Sequence, residues 1–137
     1  MKKLLLALAF GAVMAAPATS ARLSPDAELA KLIGNRVADK PTGCIDLSMA
    51  RSTRIIEGRA IVYEIGSTLY VNRPGGVEHL RDDDILVTRV FGGQLCRLDT
   101  VNLVSRAGNF QHGFVVLGDF IPYRRADGAP KASPTPA

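Results

Sequence analysis

The residue types that could do chemistry are few: two cysteines, two histidines, a run of three aspartates, a local arginine cluster and three tyrosines. Cys44 and Cys96 are the only thiols. Neither belongs to a C-x-x-C pair, so redox exchange and c-type haem attachment have no support. An even count in an exported chain favours a disulfide over a nucleophile or a metal site. Such a bond closes a loop of about 53 residues and stabilises by about 4 kcal/mol on the chain-entropy argument. His79 and His112 stand 33 residues apart in polar, turn-like stretches. Zinc takes three or four well-placed ligands, so both read as surface histidines. Asp82-Asp83-Asp84 lacks the alternate spacing with which a calcium loop converges on its ion. It reads as a solvated turn before a strand that begins at Ile85.

Arg51, Arg54 and Arg59 surround Ser52-Thr53. In a regular strand Arg51 and Arg54 point to opposite faces. A bulge between them brings the two together on an anion such as a phosphate or carboxylate. Ordinary surface pairing with nearby acids is the competing reading. Tyr63, Tyr70 and Tyr123 suit a pocket lining and, equally, plain strand packing. The candidate ligand contacts are therefore Arg51, Arg54, Tyr63 and Tyr70. The sequence holds no G-x-S-x-G elbow, H-E-x-x-H or phosphate loop. A Ser-His-Asp triad assembles in space, and spacing alone does not exclude one. Two loop histidines and few serines on ordered elements argue against it. No catalytic, cofactor-binding or metal residue is assigned, and no cofactor is implied.

The elements that must carry these residues begin after a leader. Lys2 and Lys3 precede an apolar run from Leu4 to Ala16, and Ala16, Ala18 and Ala21 offer small-residue cleavage sites. This is the pattern of a secretory signal peptide over 1–21, with cleavage after Ala21 or after Ala18. The apolar run is shorter than the roughly 20 residues a bilayer span needs. No second such run follows, so no membrane span is expected after cleavage. Removing Lys2 and Lys3 leaves 15 of the 17 basic residues against 13 acidic ones, a net charge of +2. That balance, with export, argues against nucleic acid as a partner. The expected location is the periplasm or the medium. One domain is expected over 22–125, followed by a disordered tail over 126–137 rich in Ala, Gly, Pro, Lys, Ser and Thr.

Ser24-Pro25-Asp26 opens a helix with a good N-cap, a proline suited to the first turn, and acids at the positive end of the dipole. Leu29, Leu32, Ile33 and Val37 recur at helical spacing, and Gly34 offers an earlier end. Beyond Cys44 the pattern is of strands. Ala60 to Ile65, Gly66-Ser67, and Thr68 to Asn72 form a two-residue hairpin that sets Tyr63 opposite Tyr70, with Val62, Leu69 and Val71 on the other face. A second hairpin is expected from Ile85 to Phe91, over Gly92-Gly93, and back along Gln94 to Val104. It places Val87 opposite Leu98 and Val90 opposite Leu95. Phe114 to Leu117 and Phe120 to Tyr123 are the last extended pieces, and Pro122 is expected at an edge or an end. The fold class is mainly β: a small antiparallel barrel or curled meander sheet, with one N-terminal helix, stapled by Cys44–Cys96. Sandwich and barrel both remain open.

The run Cys44-Ile45-Asp46-Leu47, then Arg51-Ser52-Thr53-Arg54-Ile55-Ile56, Leu95-Cys96-Arg97-Leu98-Asp99 and Leu117-Gly118-Asp119-Phe120-Ile121-Pro122 resembles a family of small exported proteobacterial proteins. That family is classed as a domain of unknown function, and the resemblance covers about Cys44 to Tyr123. It implies export and a stapled fold and supplies no catalytic residue. Many relatives carry a second cysteine pair, one member near the middle and one just before the Leu-Gly-x-Phe motif. Here the later position falls at Val115 or Val116 and the middle has no cysteine. The leading expectation is a non-enzymatic exported envelope protein acting through a protein or envelope surface, its partner an envelope protein or a small ligand of unknown identity. The rival is a small-ligand or anion-binding module. A weaker rival is an envelope-polymer hydrolase using Asp99 or His112.

Overall fold

The computed structural model describes residues 16–17 and 20–126. The leader and the polar tail lie outside these except for 16, 17, 20, 21 and 126. Helix α1 (Pro25–Ile33) starts where its cap predicts: the Ser24 hydroxyl accepts from the Ala27 amide at 3.3 Å, and Gly34 ends the helix. Leu29 is buried, and Leu32 and Ile33 pack beside it. Val37 does not extend this stripe. It lies in β1 (Arg36–Ala38) and is 58% exposed, because Gly34 has already turned the chain.

Nine further strands follow: β2 (Cys44–Asp46), β3 (Ala50–Ile56), β4 (Ala60–Ile65), β5 (Thr68–Asn72), β6 (Asp84–Thr88), β7 (Gln94–Cys96), β8 (Thr100–Ser105), β9 (Gln111–Val116) and β10 (Phe120–Arg125). They make three antiparallel sheets, ordered β1-β10-β5-β4-β3, β2-β7 and β6-β8-β9. No sheet closes on itself among the described residues. The five-stranded sheet contains the β3-β4-β5 meander, and its β4 and β5 strands are buried on both faces. Val62, Leu69, Val71 and Ile56 pack under α1. Ile61, Tyr63 and Phe120 face inward onto Ile45, Leu95, Val101, Leu103 and Val115 of the two smaller sheets. The β4-β5 hairpin has the expected register, with Tyr63 opposite Tyr70 and Val62 opposite Val71. Among the described residues no helix is long and apolar enough to cross a membrane.

The second expected hairpin does not form. Phe91 and Gln94 bridge over Gly92-Gly93, but the ladder stops there. β7 pairs instead with β2, placing Cys44 opposite Cys96, and these two form the disulfide. Leu98, expected opposite Val87, sits in a turn at φ 70°, and Val87 faces Asn102. The cause is Asp99: its carboxylate accepts from the Cys96 amide at 2.7 Å, closing a turn that ends β7 and starts β8 afresh. Pro122 lies in β10, an interior strand, rather than at a sheet edge. Locally it still sits where β1 has ended: β1 pairs from Ala38 opposite Tyr123, the next bridge joins Thr42 to Phe120, and no ladder donor is needed between them.

Candidate functional site

Among the described residues β3 and β6 each lack a neighbour on one side. A cavity of about 350 Å³ lies between them. Side-chain alternation explains its walls. Thr53 and Ile55 of β3 pair with the inward residues Tyr63 and Ile61, so they lie on the cavity side of the strand, with Thr53 at its exposed rim. Asp84, Leu86 and Thr88 point inward from β6, and Leu47 and Leu95 complete an apolar floor. Tyr63 lines this cavity and is 2% exposed. Burial pushes its phenol well above the ordinary tyrosine value.

Asp84 overturns the reading of the aspartate run as a solvated turn. Asp82 and Asp83 form the turn, but Asp84 starts β6 with a side chain only 1% exposed. Its Oδ2 accepts from the Arg81 amide at 2.9 Å, and its Oδ1 lies 2.6 Å from His112 Nε2. The His112 side chain is 11% exposed, so it is not the surface histidine the sequence suggested. The β8-β9 ladder shifts register here: Leu103 faces Gly113 while Val104 faces Gln111, leaving His112 as the extra residue. A bulge of this kind re-aims a side chain. Gly113 leaves the space used by His79, whose Cβ lies 3.7 Å from where a Gly113 side chain would begin. His79 and His112 thus line one cavity of about 320 Å³ on the far side of Asp84. No cluster of three metal-ligating side chains occurs among the described residues.

The four candidate contacts are not brought to one pocket. Arg51 is the extra residue of a bulge, since Ala50 faces Ile65 and Ser52 faces Glu64. Arg54 faces Val62, on the α1 side, and lines an outer groove with Arg22, Lys31, Glu28 and Asp82. Among the described residues neither Arg51 nor Arg54 makes an ion pair, while Arg22 pairs with Asp82 and Arg59 with Asp26. Tyr63 lines the inner cavity. Tyr70 lines a separate groove beside Cys44, Met49 and Pro122. Sequence reasoning singled out Asp84 and His112 separately but missed their pairing, because the two lie 28 residues apart and meet only through the sheet. The chain matches no protein-family model, no curated protein and no solved structure.

Proposed function

We propose that the protein is a non-enzymatic, exported binding protein of the bacterial envelope that holds a protein partner at the slot between β3 and β6. The supporting observation is that slot: two strand edges without neighbours among the described residues flank an apolar-floored cavity that opens to solvent. Unpaired edges offer backbone donors and acceptors, which natural folds usually cover or block. The disulfide suits an oxidising compartment. Asp99 has its carboxylate on the Cys96 amide, and Asp84 and His112 are bonded to one another. These are structural uses, and they lend the hydrolase reading no weight.

A photo-crosslinking residue placed at Thr53, in cells that export the protein, tests this. Capture of one protein from Thr53 and none from Arg125, on the far side of the sheet, is the expected result. No capture from Thr53, or the same products from both sites, would overturn it. One observation favours a small ligand instead: the inner cavity lies within the size range of small-molecule sites. Native mass spectrometry of protein taken gently from the periplasm separates the two, because a retained small mass supports the ligand reading.

A further inference from the structure

We infer that the slot takes an extended peptide segment as an added β-strand, with apolar side chains alternating with acidic ones. The inference rests on the slot reading above and names the chemistry of the partner.

Three observations carry it. First, β3 is a seven-residue edge strand, and β6 is the edge of another sheet on the opposite wall. Their free backbone groups are satisfied by another backbone, whereas an apolar small molecule leaves them unpaired. Second, the slot has the two faces a strand needs. Inward positions of an added strand meet Ile55, Leu86, Leu95 and Leu47 in the inner cavity. Outward positions meet the α1 side, where an outer groove of about 520 Å³ holds Arg54. Third, the charge of that groove has a sign. Arg22, Lys31 and Arg54 face Glu28 and Asp82, and Arg22 is already paired with Asp82. Arg54 makes no ion pair among the described residues. An outward carboxylate on the added strand supplies its partner, and a lysine there is repelled.

Other occupants fit less well. A second copy pairing through its own β3 brings a second Arg51 and Arg54 alongside the first. The C-terminal segment carries Pro130, Pro134 and Pro136, which lack the ladder donor.

The test uses the mature full chain and dye-labelled seven-residue peptides of alternating valine and glutamate, or valine and lysine, followed by fluorescence anisotropy. The glutamate peptide is expected to bind at least about fivefold tighter than the lysine peptide, with the gap shrinking as salt is raised. Arg54→Glu should reverse the order, and Arg54→Gln should abolish the preference. Both changes are at an exposed position, and an unchanged melting temperature confirms that folding is intact. Methylating one alternate set of peptide backbone nitrogens should eliminate binding, since it removes ladder donors. Equal affinity for the two peptides, tolerance of methylation on both sets, or no binding to either peptide overturns the inference. So does a dimer in sedimentation, or a retained small molecule that peptides do not displace. If Thr53 nevertheless captures a protein, the slot reading stands and only the strand chemistry fails. If Thr53 captures nothing, the slot reading itself fails.

Discussion

Asn72 acts as a piece of backbone. It is fully buried, its Nδ2 donates to the Gly118 carbonyl at 2.7 Å, and its Oδ1 accepts from the Gly118 amide at 3.0 Å. A side chain at Gly118 would begin 3.0 Å from the Arg73 carbonyl oxygen, a tight contact from which that carbonyl would have to shift by a few tenths of an ångström. Asn72→Ala leaves two partly buried backbone groups of Gly118 unpaired and should cost about 2–4 kcal/mol in urea unfolding. Asn72→Asp should do no better, because a carboxylate cannot donate to Gly118. His112→Ala should cost about 3 kcal/mol, since it strands the buried Asp84 carboxylate. Tyr63 gives a pH dependence with a definite sign. Its phenol is held neutral in the folded state. The unfolded chain loses that proton near pH 10. Stability from this group is therefore full below about pH 10 and falls above it, by at most about 1.4 kcal/mol per pH unit. Unfolding at pH 9, 10 and 11 should show this fall in the native protein and a smaller one in Tyr63→Phe. The sequence marks Tyr63 as a candidate pocket residue, but none of these three sets of contacts is legible in it. Their partners lie 46 or 28 residues away, or, for Tyr63, across the packed interior, and no local pattern reports such contacts.

Local chemistry marks what could be read at the scale of elements. α1 carries its cap, proline and closing glycine within eleven residues, and the β4-β5 hairpin carries its turn between two alternating runs. Both are legible because nothing distant decides them. The Gly92-Gly93 signal was also local, but a competing turn at Cys96–Asp99 overrode it and redirected β7 to β2. Alternation alone cannot reveal that, since the residues after Gly93 are strand-like in either pairing. The disulfide then reinforces two three-residue strands that are otherwise held by their short ladder and by the buried Ile45 and Leu95. Replacing both Cys44 and Cys96 with alanine should lower stability by about 3–4 kcal/mol. Reductant should produce a comparable fall in melting temperature in the native protein and none in the double variant. An unchanged melting temperature in the double variant would show that the staple contributes nothing.

The whole molecule is joined at Gly75–Val116 and open along β3 and β6. The segment after β5 meets β9 where Gly75 and Val116 exchange both backbone hydrogen bonds, at 2.8 and 3.0 Å, and the β3–β4 turn meets the segment before β6 where the Gly58 amide donates to the Leu80 carbonyl. Among the described residues β3 and β6 have no ladder between them. Val116 stands directly opposite Gly75 in the Gly75–Val116 bridge. A side chain at Gly75 meets nothing closer than 3.9 Å, so a bond between Gly75→Cys and Val116→Cys is sterically open. It would close a loop of about 42 residues and should add about 2–4 kcal/mol, the lower end because Cys44–Cys96 already restricts the unfolded chain. Oxidised and reduced forms of this double variant, compared by thermal unfolding, measure the gain. Because the new bond lies on the joined side, peptide affinity at the slot should stay unchanged while stability rises. A rise in stability with loss of binding would mean instead that the two sheets must move apart at Gly75–Val116 for the slot to be filled.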